Sequence, residues 1–204
     1  MKKSIVFLEE QAAAGDTNAL FTLGQFYEFG KEVEQDFSQA LRYYQKAADL
    51  GLAVARYNLA VLYEHGRGTE QDYQKAAMYY QQAAEQGDPW AQNNLGYLYS
   101  HGKGLTQSDA HAMHWYKSAA EQGHFQAQYN IASRFAAGQG VEVDLVEAHF
   151  WFNRATIGAT ALNQERVNKA IEHLERYMEP DAIFLAKTKF KDYLDGSSDI
   201  DTGA

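Results

Sequence analysis

The chain has no cysteine among its 204 residues. That excludes a disulfide scaffold, a cysteine nucleophile and any thiolate metal site. It has only 2 prolines. An all-β or loop-rich protein of this length needs more, so helix is the first expectation. Positive charge is also short. The 18 Lys and Arg face 27 Asp and Glu, a net charge of −9, which is the wrong sign for an electrostatic nucleic-acid binder. No apolar run approaches the roughly 20 residues that span a bilayer. The amino end, MKKSIVFLEEQ, offers only Ile5 to Leu8 between its lysines and the first acid. A signal peptide needs an apolar stretch of about 7–15 residues. The expectations are no nucleic acid, no membrane insertion and a cytoplasmic location. A chain trimmed of an export leader would fit the periplasm.

What the sequence has in abundance is self-similarity. Segments starting at Thr17, Ala53 and Pro89 align without gaps, and a fourth from Phe125 is one residue shorter. Gly15, Gly51, Gly87 and Gly123 fall 36 residues apart. Gly30, Gly66, Gly102 and Gly138 form a second series, and Gly68, Gly104 and Gly140 a third. A fixed period of this size marks stacked supersecondary units, none of which can bury its apolar face alone.

Each unit reads as two helices. The first covers residues 53–65 in the second repeat, with Ala55, Leu59 and Tyr63 at spacing four. Gly66 ends it, as glycine does where the chain turns left-handed. Asp72 is placed to cap the next helix, as are Asp36 and Asp144, while the third repeat offers Ser108 or Asp109. Pro89 stands at a first-turn position, where its missing N–H costs nothing. Alanine columns such as Ala40, Ala76, Ala112 and Ala148 let paired helices approach closely.

The pattern Ala-x-x-x-Leu-Gly-x-x-Tyr-x-x-Gly-x-Gly, then Asp-x-x-x-Ala-x-x-Trp/Tyr-Tyr-x-x-Ala-Ala-x-x-Gly, resembles the Sel-one-like repeat, a relative of the tetratricopeptide repeat. The resemblance covers residues 17–158. Glu32 departs from it, replacing the second loop glycine in the first repeat, and Ala60 and Ala132 replace the small glycine of the first helix. The resemblance implies an all-α, right-handed α-solenoid of four repeats of about 36 residues with helical caps. The expected divisions are a capping half repeat over 1–16, repeats over 17–51, 52–87, 88–123 and 124–158, capping helices over 159–194 and a disordered tail over 195–204. It also points to a bacterial source.

A helical wheel locates the candidate site. The core positions Ala55, Leu59 and Tyr63 lie almost opposite Val54, Tyr57 and Val61 on a wheel of about 100° per residue. An ordinary surface helix is polar on that second side. Here the corresponding positions are Phe21 and Gln25 in the first repeat and Trp90, Asn93 and Tyr97 in the third. Tyr129 and Ser133 hold them in the fourth. By resemblance to tetratricopeptide arrays, this side lines a concave groove. An aromatic stripe interleaved with amides and hydroxyls suits a peptide or helix partner. The same side chains could instead pack neighbouring first helices together.

Other chemistry is thin. His111 and His114 share a helix face, but no third or fourth ligand accompanies them, and structural zinc needs four. His65 and His101 stand where a histidine satisfies last-turn carbonyls. The Gly-x-Gly pairs lack the spacing and the Lys-Ser sequel of a phosphate loop. Some cysteine-rich members of the resembled family have been linked to β-lactam hydrolysis, and a chain without cysteine does not inherit that link. The sequence therefore predicts a non-catalytic interaction scaffold, monomeric or weakly dimeric, with no cofactor and no metal. Its partner is expected to be a protein or peptide, and the acidic balance favours basic residues in it. An enzyme with a site in the groove and a self-assembling structural protein are the alternatives.

Overall fold

The computed structural model describes residues 2–198, with side chains from 5 to 196. Among them are eleven α-helices and no strand. The chain divides into two compact units, residues 1–107 and 108–204. The division falls inside the third repeat, between its two helices.

In the first unit, α1 (Lys2–Ala13) packs on α2 (Thr17–Phe29), which pairs with α3 (Phe37–Asp49). Helix α4 (Ala53–His65) pairs with α5 (Tyr73–Ala84), and α6 (Pro89–His101) packs on α5. The alanine columns do what small residues at a helix contact must do. Ala40, Ala55, Ala76 and Ala91 are fully buried, and Leu23, Leu59 and Leu95 fill the space between the helices.

The ends of the helices follow local chemistry. Asp36 accepts from the Ser38 and Gln39 amides at 2.9 and 3.0 Å, and Asp72 accepts from the Lys75 amide at 2.9 Å. Each satisfies amides that a helix start leaves open. A column of loop glutamines, Gln35, Gln71 and Gln107, reaches back to the carbonyls of Glu28, Glu64 and Ser100 at 2.7, 2.7 and 3.0 Å. This closes the last turn of each first helix.

Gly68 has two reasons to be glycine. Its φ is +73°, and a Cβ there would lie 2.4 Å from the backbone of Phe37, at the start of the preceding repeat's second helix. Glu32 keeps the same left-handed turn at φ +62° with a side chain attached and exposed.

In the second unit, α7 (Asp109–Glu121) packs on α8 (Phe125–Ala137), which pairs with α9 (Leu145–Arg154). Helices α10 (Ala161–Glu175) and α11 (Pro180–Ser198) both pack on α9. The core is richer in large rings, with Phe150, Trp151 and Phe152 buried beside Ile131 and Val167. Ser108, rather than Asp109, caps α7 through the His111 amide at 3.3 Å. The sequence pattern ends the last helix at Leu194, whereas the helix runs on to Ser198, because no proline or cap stops it earlier. The rest of the expected disordered tail, 199–204, lies outside the described residues.

Candidate functional site

The candidate face is built by ring contacts within each repeat. Phe21 of α2 leans on Tyr44 of α3, with centroids 5.6 Å apart and planes tilted by 39°. Tyr57 of α4 leans on Tyr80 of α5 at 5.8 Å and 49°. Tyr129 of α8 meets Phe152 of α9 edge-on at 5.2 Å. All three first-helix rings are half-buried, as are Gln25, Val61 and Ser133. The rings therefore pack on the second helix of their own repeat.

Beneath the rings of the first two repeats lies a polar clasp. Tyr44 donates its hydroxyl to Glu28 Oε2 at 2.6 Å, and Tyr80 donates to Glu64 Oε2 at 2.6 Å. Asn94 adds a donor to the Tyr80 oxygen at 2.9 Å. Burial pushes both hydroxyl pKa values well above the ordinary tyrosine range, and the neighbouring carboxylate reinforces it by accepting the proton's hydrogen bond. Tyr57 is also raised, first by burial and then by the nearby charges of Asp88 and Glu64.

The third repeat breaks the stripe. Trp90, in the first turn of α6, is 59% exposed. Asn93, three residues on, is buried, and its amide lies 3.2 Å from Asn94 Oδ1. Tyr97 is half-buried, with the His101 ring 4.2 Å from its own and Lys103 Nζ donating to its hydroxyl at 2.9 Å. The His101 Nδ1 sits 2.9 Å from the Tyr97 carbonyl, the last-turn partner that its position in the sequence implies.

In the second unit, Tyr129 and Ser133 stand on the wall of a cavity of about 630 Å³ between α8, α9 and α10. Ser133 donates to the Tyr129 carbonyl at 2.9 Å. Phe152, Ala170 and Leu174 line the cavity with apolar surface, and Arg166, Lys169 and His173 bring basic groups to it. The Arg166 guanidinium lies 4.0 Å from the Tyr129 ring centroid. No group of three or more His, Asp or Glu side chains converges among the described residues. His111 instead lies 2.8 Å from Ser108 Oγ through Nδ1.

Sequence reasoning misses two buried polar links of the second unit. Arg134, 4% exposed, donates to Asp109 Oδ1 from both terminal nitrogens at 2.9 Å and to the Gln139 carbonyl at 3.0 Å. His149, 1% exposed, meets Glu175 Oε1 at 3.0 Å and the Asn153 amide at 2.9 Å. Hydrogen bonds from His149 and Lys187 hold the Glu175 carboxyl below its ordinary pKa. These partners are 25 and 26 residues apart, so no helical periodicity reveals them. The cavity does leave a trace. In the fourth repeat the clasp positions Glu28 and Tyr44 become Ala136 and Phe152.

Comparison with known proteins adds the lineage. The model of the Sel1 repeat family matches residues 17–52, 53–88, 91–124 and 125–156. A solved structure of c5321, a protective antigen present in uropathogenic Escherichia coli strains and displaying an SLR fold, is similar with a TM-score of 0.84 and 28% identity. That similarity covers 95% of this chain and 41% of the other. A Sel1 repeat protein from Oxalobacter formigenes is similar at 0.75 and 28% identity, covering 79% of this chain and 66% of its own. This chain thus spans less than two thirds of either relative. No curated protein sequence matches it.

Proposed function

We propose, from the premise that this chain belongs to the Sel1 repeat family, that it is a non-catalytic scaffold binding a partner peptide or helix on the aromatic side of its first helices. Sel1 repeats commonly serve as protein–protein interaction scaffolds. The observation that carries the reading here is Trp90. A tryptophan that is 59% exposed leaves a large apolar surface in water, and such rings are the usual anchors of interfaces. Tyr97 supplies a second, half-buried ring one turn of α6 beyond Asn93. Phe21, Gln25, Tyr57 and Val61 continue the face in the other repeats of the unit. Their half-burial fixes the rings in place before a partner arrives, which lowers the entropy lost on binding.

The test is affinity capture from bacterial lysate, with wild type beside Trp90→Ala and read by mass spectrometry. A protein recovered only by wild type supports the reading. Recovery of the same set by both baits overturns Trp90 as the anchor.

A further inference from the structure

We propose that the cavity between α8, α9 and α10 takes a peptide segment in which a carboxylate side chain stands next to an apolar one. The inference rests on the scaffold reading above and gives it a partner chemistry in the second unit.

The cavity's origin is legible in the repeat columns. In the first two repeats the Glu28–Tyr44 and Glu64–Tyr80 clasps stand at these positions. In the fourth, Ala136 and Phe152 take the two places, and both line the cavity. Glutamate to alanine removes a carboxylate and a methylene, and tyrosine to phenylalanine removes the hydroxyl that would have sought it. Both halves of the clasp are absent together, so no buried donor is left without an acceptor. The outcome is an open space of about 630 Å³, within the range of roughly 300–1,000 Å³ typical of ligand sites.

Charge then selects the occupant. The chain carries −9 overall, yet the cavity wall holds one carboxylate, Glu165, against Arg166 and Lys169. These two cations are three residues apart on α10 and share a face of it. Arg166 lies over the Tyr129 ring with its guanidinium carbon 4.0 Å from the centroid, and a guanidinium held against a ring keeps in-plane N–H donors for an acceptor. Its hydrogen bond to Gln126 Oε1, at 3.5 Å, is long. Lys169 is held by Glu165 at 2.6 Å with both side chains more than 60% exposed, so exchanging that partner for a ligand carboxylate costs little. A basic segment would meet the wrong sign here, and a wholly apolar one would strip water from these cations without adding an acceptor to either. A carboxylate beside an aromatic or branched aliphatic side chain satisfies the cations and fills the apolar bed of Phe152, Ala170 and Leu174.

The experiment uses the full chain and a fluorescein-labelled, end-capped peptide, Gly-Leu-Asp-Phe-Asp-Leu-Gly, read by anisotropy. Its controls are the peptide with both aspartates changed to asparagine, and free phenylacetate as competitor. The expected result is at least about tenfold tighter binding of the aspartate peptide than of its amide counterpart. Arg166→Gln and Lys169→Gln should each weaken it by about threefold or more. The double variant Ala136→Glu/Phe152→Tyr rebuilds the clasp inside the cavity and should weaken binding at least about tenfold. Should the double variant fail to fold, the surface substitution Lys169→Gln still decides the matter. Equal affinity for the two peptides, no binding of either, undiminished binding by the variants, or phenylacetate binding as tightly as the peptide would overturn the proposal. Trp90 does not line this cavity, so the two readings separate. Loss of the lysate partner in Trp90→Ala with no aspartate-peptide binding sinks only the cavity proposal. An unchanged lysate set with specific peptide binding sinks only the Trp90 anchor.

Discussion

The two units place the same ring contact on different foundations. In the first, Phe21 and Tyr57 rest on tyrosines whose hydroxyls are gripped by Glu28 and Glu64. In the second, Tyr129 rests on Phe152, which has no hydroxyl, and the glutamate position is Ala136. The ring separations barely change, at 5.6, 5.8 and 5.2 Å. The ring contact thus belongs to the repeat, while the clasp beneath it is free to vary. Where the clasp is gone, a cavity stands. The second unit also depends on long-range polar links, Arg134 to Asp109 and His149 to Glu175.

The largest expected effect breaks the loop that the repeats share. Gly68→Ala forces a Cβ to within 2.4 Å of the Phe37 backbone at a left-handed φ. It should cost about 3 kcal/mol or more, read as a drop in thermal midpoint. Gly140→Ala, whose nearest atoms lie at 2.8 Å and include the Asp109 side chain, should cost less. Equal losses would show that the φ alone, and not the close approach, dictates glycine here.

Next comes Arg134→Leu, which removes three charge-assisted bonds but leaves Asp109 46% exposed to water. A loss of about 2 kcal/mol is expected. Hydrogen exchange should locate it in the second unit.

The clasp itself is tested by pH and by a mutant cycle. Tyr44 and Tyr80 have folded pKa values raised above their unfolded value near 10. Their contribution is therefore complete below pH about 10 and is lost as pH rises above it. Tyr80→Phe should cost about 1–2 kcal/mol at neutral pH and flatten that alkaline loss. The reverse change, Phe152→Tyr, points a hydroxyl into the open cavity and should cost little alone, and adding Ala136→Glu should give a coupling of about 1 kcal/mol. A cycle with no coupling would show that the two columns are independent. On the acid side, Glu175 is depressed, so its contribution is present above the ordinary carboxyl pKa and is lost as pH falls through its folded value. Glu175→Gln should flatten the acid limb of the stability curve.

The smallest effect is a gain. Glu32→Gly relieves a non-glycine residue at φ +62° and should stabilise the first unit by about 0.5–1 kcal/mol, measured by denaturant midpoint.

Much of the fold is legible in the order of the residues. The helix of residues 53–65, the caps at Asp36, Asp72 and Asp144, and the loop glycines all follow from chemistry within a few residues of each position. The helical wheel discerns less. It puts Trp90 and Asn93 on one face, yet the first is 59% exposed and the second 8%. A wheel assigns a direction to each side chain and cannot say how near the neighbouring helix stands. Arg166 and Lys169 escape the pattern because α10 lies beyond the repeats, where no column gives a position its meaning.

The repeat, its helices and its capped loops follow from residue order alone, because each depends on local backbone chemistry recurring every 36 residues. Helix packing settles which exposed ring remains in water, which buried cation finds Asp109, and that Ala136 and Phe152 together border a space with Arg166. Those outcomes depend on pairs of residues far apart in the chain, whose distances are set when the helices pack.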